Sequence, residues 1–260
     1  MSPDATDQKS KWFAFADELF ELASAIYAEA DFMETEAGAA DPRVIALTLL
    51  CRTVGNFRGA LSMIEQQLIV EARTLTRSCV ENLIWIDKLA RDGAGFVKEI
   101  VANEYKSREM RGQVLAQWAS SQENELPFAK DLHAYLKGIK GRPKELLSVK
   151  ALAQAGVLKD SYVIYGQLSS DAAHPSADSL GRHIQRNSDH SIAIVADGLT
   201  DEGETLQTLD FACATFLSIC VGANQIIGGV PSGAELERLF QALIALRQGQ
   251  SKVGPAAQTR

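Results

Sequence analysis

The chain has 260 residues, 46% of them hydrophobic and 23% charged, which is enough to bury a substantial core in one domain. Its net charge of −7 gives no overall attraction to phosphate backbones, so nucleic-acid binding is a less favoured function, although it is not excluded. The mean hydropathy of −0.06 and the charges that interrupt the apolar runs argue against a membrane span.

The compartment is predicted from the N-terminal segment and the cysteines. Residues 1–12 lack the apolar segment of a secretory signal, so we expect a cytoplasmic location. The four cysteines have no zinc-binding spacing, and we predict neither a metal site nor a cofactor. All four are expected to be small core residues in a reducing environment: Cys51, Cys79, Cys213 and Cys220.

Helical periodicity dominates the N-terminal half of the chain. Apolar residues form one stripe over residues 12–32, which predicts an amphipathic helix. Asp41 and Pro42 together are a typical start for the next helix, with an N-cap followed by proline at the first helical position.

The pattern that begins at Pro42 continues to Arg91, which is too long for one ordinary helix. We therefore predict a break near residues 55–59 or 66–67. Gly93 and Gly95 are predicted to end this region as C-caps.

Further helices are predicted up to residue 137, and a basic loop follows over residues 137–145. Ser148 and Gly156 are expected to cap a short helix at its two ends. The alternating β-branched residues of HSIAIVADG, from His190, predict a strand that pairs with residues 182–185.

Helical periodicity returns after residue 201, first in a strongly apolar segment and then in a final amphipathic one. The predicted fold is all-α, a multi-helix bundle with one short β-hairpin or extended element near residues 182–196. We expect a single helical domain over residues 1–247 and a disordered tail over residues 248–260.

A first candidate site lies in the segment RTLTRSCVENLIW. Arg73, Arg77 and Glu81 recur every four residues and therefore share one helix face. The rest of the circumference is largely apolar, so Arg77 and Glu81 should point towards an interior or a cleft, where a charge needs a partner. Two interpretations remain open: a structural Arg–Glu pair that clamps neighbouring helices, or a polar pocket inside the bundle.

A second candidate site lies where a predicted helix stops. Tyr162, Tyr165 and Ser169 project from the end of that helix, and His174 and Ser176 follow in a loop that contains a proline. His174 could act as a general acid or base near neutral pH. The same residues are equally explained by a histidine bonded to backbone and by Ser176 as a helix cap.

The segment RHIQRNSDH was compared with helical ribonucleases of the HEPN superfamily, which carry an arginine and then a histidine after four to six polar residues. Here Arg186 and His190 are separated by three residues, and Arg182 and His190 by seven. Neither spacing fits, and the residues that follow predict a strand where that motif opens a helix.

The chain resembles a family of mostly helical prokaryotic proteins known only as a domain of unknown function. The resemblance rests on the Arg-x-x-x-Glu helix RSCVENLIWIDKL, on the block YGQLSSDAAHPS and on the late apolar helix, and it covers roughly residues 47–227. Gly166 departs from it, since family members often have a longer, basic residue there. The resemblance implies a site but no activity, and that site would contain Arg77, Glu81, Tyr165, Ser169 and His174.

Two functions are compatible with these residues. In the first, the chain is a binding or regulatory module whose polar cluster holds a small anionic ligand, with Tyr165, Ser169, Arg73 and Ser176 as ligand-binding residues. The acidic charge and the lack of nucleotide-binding loops, nucleophile elbows and zinc-protease motifs favour it. As a further partner, a second copy could pack on the terminal helices over residues 12–32 and 234–246, although closure of the chain's own core is the favoured role of these helices.

The second function is a metal-independent hydrolase acting on RNA or a nucleotide. His174 would be the general acid or base, Arg77 would stabilise developing negative charge, and Glu81 would orient one of them. This hypothesis requires that the three side chains converge on a solvent-accessible cavity.

Overall fold

The computed structural model describes residues 3–30, 36–121, 127–172, 176–196, 198 and 201–250. Within these ranges the chain is an all-α bundle with one two-stranded hairpin, as predicted. The helices and strands are α1 (Pro3–Glu29), α2 (Pro42–Glu65), α3 (Ile69–Asp92), α4 (Ala94–Ser120), α5 (Ala129–Gly138), α6 (Val149–Ala155), α7 (Ser161–Ala172), α8 (Ala177–Gly181), β1 (Ile184–Arg186), β2 (Ile192–Ile194), α9 (Glu202–Ile226) and α10 (Glu235–Gln250).

The core lies where α1, α2, α3 and α9 meet. Three phenylalanines, one each from α1, α2 and α9, mark its centre: the ring of Phe57 lies 5.0 Å from that of Phe20 and 4.5 Å from that of Phe216. Aromatic pairs at these separations add to the stability that burial alone supplies. The helix α3 then passes between this core and α7, which positions one of its faces for the candidate site.

Local signals set most helix ends. The side chain of Asp41 accepts a hydrogen bond from the Arg43 N–H at 2.8 Å and caps α2, as expected. The chain breaks between α2 and α3 at the second of the two predicted positions, where Gln67 adopts a φ of 63°. Gly93 ends α3 with a φ of 51°, but the prediction for Gly95 was wrong, because Gly95 lies inside the first turn of α4.

The terminal helices close the core of their own chain. On α1, Trp12 and Leu19 are fully buried, and on α10 Leu239 and Leu243 are nearly so. Most of the apolar residues of these two helices are therefore used within the bundle, and the contact with a second copy stays a prediction. Residues 248–250 continue α10, and residues 251–260 of the expected tail lie outside the described residues.

Three of the four cysteines are core residues, as predicted. Burial raises the pKa of the Cys79 and Cys220 thiols to about 12, and it raises the pKa of the Cys213 thiol well above its ordinary value. The expectation was wrong for Cys51, which is exposed on the solvent face of α2. A helix that is apolar on most of its surface still has one face towards water, and helical phase alone did not exclude Cys51 from that face.

Two described helices, α2 and α9, are long and apolar enough to cross a membrane by length and composition alone. The expectation from the sequence that no apolar segment is suited to a membrane span was therefore too strong. Both helices contribute to the core, and the central helix of a bundle meets the same criterion as a membrane span because both are apolar on most faces.

Candidate functional site

The polar face of α3 is turned towards α7 and the start of α9. Arg73, Arg77 and Glu81 follow one another at single-turn intervals along this face, as their spacing predicts. Arg77, with Glu81 paired to it, meets α7, and Arg73 lies deeper, against α9. The face is therefore divided into an outer and an inner group of polar contacts.

The outer group, called here the Arg77 cluster, consists of Arg77, Glu81, Tyr165 and Ser169. Arg77 Nε donates to Ser169 Oγ at 2.8 Å, and Arg77 Nη2 donates to the Tyr165 hydroxyl at 2.5 Å. The same Nη2 lies 2.9 Å from Glu81 Oε1. The structure thus brings together four of the residues that the family resemblance implied.

Aromatic rings and a backbone contact hold this cluster rigid. The Arg77 guanidinium lies over the ring of Tyr165, 4.6 Å from its centroid, and Tyr162 stacks against Tyr165 with centroids 5.7 Å apart. Ser169 also donates to the backbone carbonyl of Tyr165 at 2.7 Å. Because each contact constrains the same guanidinium, little conformational freedom remains for Arg77 to lose when it binds a ligand.

The Arg77 cluster is partly open to solvent. The side chains of Arg77 and Glu81 are 21% and 31% exposed, so the ion pair is partly solvated and does not lie in a dry core. This exposure fits the predicted cleft orientation better than a fully buried clamp. It also lowers the cost of separating the two charges, since water can replace part of the contact.

The inner group centres on Glu204, in the first turn of α9. Arg73 Nη1 lies 3.5 Å from Glu204 Oε1 and donates to Gln207 Oε1 at 3.3 Å, with only 2% of the Arg73 side chain exposed. Arg182 binds the same carboxylate in a bidentate pair, with one contact of 2.7 Å. Arg73 is therefore buried within a network that links α3, α9 and the segment leading into β1.

Sequence reasoning did not find Glu204, Gln207 or Arg182. An acidic residue in the first turn of a helix is ordinarily explained by the helix dipole, and Glu204 fits that pattern. Its contact with Arg73 depends on how α3 and α9 pack, since Arg73 and Glu204 are 131 positions apart in the sequence. No local pattern in the sequence marks such a pair.

Ser176 has a structural role at the start of α8. Its hydroxyl accepts from the Ser179 N–H at 3.0 Å, and the Ser179 hydroxyl accepts from the Ser176 N–H at 2.8 Å, which forms a capping box. Ser176 also donates to the carbonyl of Ser170 at 2.8 Å. These bonds match the alternative interpretation of Ser176 as a cap, and the structure does not join it to the Arg77 cluster.

His174 lies outside the described residues, so the structure does not place it. Two of the described histidines bind backbone carbonyls elsewhere: His133 contacts Ala129 at 2.8 Å and His183 contacts Val195 at 3.0 Å. In the part of the chain that the structure describes, no group of three or more His, Cys, Asp or Glu side chains could hold a metal ion.

Comparison with known families matches one model. Residues 43–191, more than half of the chain, match DUF5677, which is described as a family of unknown function. The matched region runs from α2 to the turn of the hairpin and includes the whole Arg77 cluster, whereas Glu204 and Gln207 lie beyond it. No protein of curated function and no solved structure matches the chain.

Proposed function

The chain belongs to the DUF5677 family, whose function is unknown, and from the geometry of the Arg77 cluster we propose that it is a binding module for a small anionic ligand. The observation that supports this proposal is that Arg77 is held in place by its neighbours and is still partly exposed. Its guanidinium is held on one side by Ser169 and Tyr165, yet a fifth of the side chain remains exposed.

The unused donors of Arg77 define where the ligand would bind. The contacts described above engage Nε and Nη2, and no residue in the described ranges accepts a hydrogen bond from Nη1. An arginine presents five N–H donors in a planar fork that matches a carboxylate or a phosphate group. An oxyanion could therefore bind at Nη1 and share Nη2 with Glu81, or displace Glu81 from it.

The hydrolase alternative depends on His174 and on a route for proton transfer. Glu81, which would orient the histidine or Arg77 in that mechanism, is paired with Arg77. Binding requires only the contacts described above, whereas hydrolysis requires a general base in addition. We therefore favour binding and treat turnover as an outcome that the experiment must be able to detect.

The experiment is a calorimetric titration with inorganic phosphate and with AMP at low ionic strength. Arg77→Lys keeps the charge but removes the fork, and Arg111→Lys makes the same change at a strongly exposed arginine on α4. We expect Arg77→Lys to weaken binding by about tenfold or more, as loss of a bidentate contact does, and Arg111→Lys to bind as the wild type does.

Three results would contradict the proposal. The first is that neither anion binds the wild type, and the second is that Arg77→Lys binds both anions as tightly as the wild type does. The third is that AMP or a short RNA is cleaved during incubation and that His174→Ala abolishes the cleavage, which would establish the hydrolase in place of the binding module.

A further inference from the structure

The last turns of α4 present an apolar surface to solvent. Met110, Val114 and Trp118 recur every four residues and therefore form one ridge along the helix. Leu115 lies beside this ridge, and the ring of Phe128 stacks on that of Trp118 with centroids 6.3 Å apart. These five side chains, called here the Val114 surface, are 38–68% exposed. An exposed apolar surface of this extent marks an interaction site.

The opposite side of α4 is the one that packs within the chain. A Cβ added to Gly112 would lie 2.6 Å from Leu136 Cδ2, so α4 and α5 approach closely at this glycine. Ala119, on the same side of the helix, is buried. Small residues thus face α5, while the large apolar residues of the Val114 surface remain on the outer side.

The Val114 surface is large enough for a specific interface. A side chain of this kind has a full area of about 150–250 Å², so the exposed parts of the five add up to about 400–600 Å². Two copies of the surface would bury about 800–1,200 Å² from these side chains alone. With the polar atoms around them, the total reaches the size of about 1,000 Å² or more that a specific interface requires.

A second copy of α4, antiparallel to the first across a twofold axis at Val114, fits this surface. The two Val114 side chains meet at the axis, and Met110 lies opposite Trp118 of the second copy on both sides of it. Contact between a flexible thioether and an aromatic ring is favourable, and methionine adapts to the shape of the larger indole. Every residue of the ridge is therefore covered by a residue of the same ridge.

The residues that flank the ridge are also complementary. Arg111 and Gln117 lie three positions before and after Val114, so they stand about 60° to opposite sides of it at 100° per residue. The twofold axis brings Arg111 opposite Gln117 of the second copy, where the guanidinium can donate to the amide oxygen. The contact has an apolar centre and a polar rim, which is the usual arrangement of a protein interface.

From the area and this fit we infer that α4 is a self-association site, in which the Val114 surface packs on the same surface of a second copy of this chain. An anionic lipid surface suits it less well. A helix that binds such lipids carries Lys or Arg along its polar face, whereas Gln113 and Gln117 on one flank of the ridge are uncharged. The surface is separate from the terminal helices, and the inference is independent of the ligand proposed for Arg77.

The size of the interface predicts a reversible dimer. A buried area near 1,000 Å² lies at the lower end of specific interfaces, so the dissociation constant should be about 1–100 µM. Sedimentation velocity of the full chain from about 1 to 500 µM covers this range. The wild type should change from monomer to dimer as its concentration rises.

The first comparison uses two valines of equal exposure. Val114→Lys places two ammonium groups against each other at the twofold axis, between the two Arg111 side chains, and should raise the Kd by about tenfold or more. Val163→Lys makes the same change on α7, where the valine is 69% exposed against 68% for Val114, and should dimerise as the wild type does. Circular dichroism verifies that both variants are folded.

The second comparison tests the predicted rim contact. Gln117→Glu places a carboxylate opposite Arg111 of the second copy and should lower the Kd severalfold at low ionic strength, although it makes an acidic chain more acidic. Gln117→Arg places two guanidinium groups opposite each other and should raise the Kd severalfold. Gln117 is exposed, so neither change alters the packing of the monomer.

Three results would overturn the inference. The first is a wild type that is monomeric over the whole concentration range, and if it then binds vesicles of phosphatidylcholine and phosphatidylserine through Val114, the surface is a lipid-binding one. The second is a dimer that Val114→Lys leaves intact or that Val163→Lys dissociates equally. The third is a dimer whose Kd shifts in the same direction in Gln117→Glu and Gln117→Arg.

Discussion

Replacing Glu81 with glutamine separates a binding site from a structural clamp, because the two roles predict opposite consequences. The change preserves the shape of the side chain and removes one negative charge from beside Arg77, whose Nη2 lies 2.9 Å from Glu81 Oε1. If Glu81 is a counter-ion that an anionic ligand must compete with, its loss should strengthen binding. If the Arg77–Glu81 pair is instead a structural clamp, the variant should chiefly lose stability.

The expected loss of stability is small. The Arg77 and Glu81 side chains are 21% and 31% exposed, which places the pair among partly solvated ion pairs. Such pairs contribute about 0.2–1 kcal/mol, against about 3–5 kcal/mol for breaking a buried pair. For a protein of this size, about 1 kcal/mol lowers the Tm by about 2–4 °C.

The expected gain in affinity follows from Coulomb repulsion. An oxyanion at Arg77 Nη1 would lie about 6 Å from the Glu81 carboxylate, and with an effective dielectric constant of about 40 the repulsion is about 1.4 kcal/mol. Removing it should tighten phosphate binding about tenfold at low ionic strength, and the gain should shrink as salt is added.

Thermal unfolding and phosphate titration of Glu81→Gln against the wild type measure both quantities. A Tm lowered by about 10 °C or more would correspond to a buried clamp, and would refute the assignment of Glu81 as a ligand-exchangeable counter-ion. Unchanged or weaker phosphate binding in a stable variant would refute it as well. A ligand-exchangeable counter-ion at Glu81 requires that stability changes little and that phosphate affinity rises.

Two further predictions concern a helix cap and a partly buried carboxylate. Ser176→Ala should cost about 0.5–2 kcal/mol through loss of the α8 cap and leave phosphate affinity unchanged; weaker binding at unaltered stability would return Ser176 to the ligand site. Burial raises the pKa of Asp210 above its ordinary value of 3.8, and the contact with Arg247 offsets part of this rise. The folded protein therefore favours the protonated carboxyl, so the stability that this group contributes is complete below about pH 3.8 and is lost as the pH rises through the raised pKa. Urea unfolding between about pH 3.5 and 7 should therefore show the wild type losing stability relative to Asp210→Asn as the pH rises, and parallel profiles would contradict the assignment.

Features set by neighbouring residues could be predicted from the sequence. The caps of α2 and α6 depend on a side chain and a backbone N–H within three residues, and both form as the letters at Asp41 and Ser148 indicate. The β-hairpin follows from alternation and a turn over a few positions. Local chemistry is also where the sequence misled: Gly95 has the usual residue type for a helix end, but the preceding Gly93 already supplies the positive φ.

The sequence by itself determined that Arg73, Arg77 and Glu81 share a face, since 3.6 residues per turn requires it. The family resemblance added Tyr165 and Ser169 to the same site, although Arg77 and Ser169 are 92 positions apart in the sequence. Only the tertiary structure decided how open that site is, because exposure depends on how closely α7 approaches α3.

The contacts of the inner group around Glu204 likewise depend on how the helices pack. Glu204 meets Arg73 and Arg182 because α9 crosses α3 at that level of the bundle, and nothing in the local pattern of α9 distinguishes this contact from ordinary helix-end chemistry. The exposure of Cys51 has the same origin, since the face of α2 that meets water is chosen by its neighbours. Periodicity determines which residues stand together on one element, and the packing of distant elements determines what they meet.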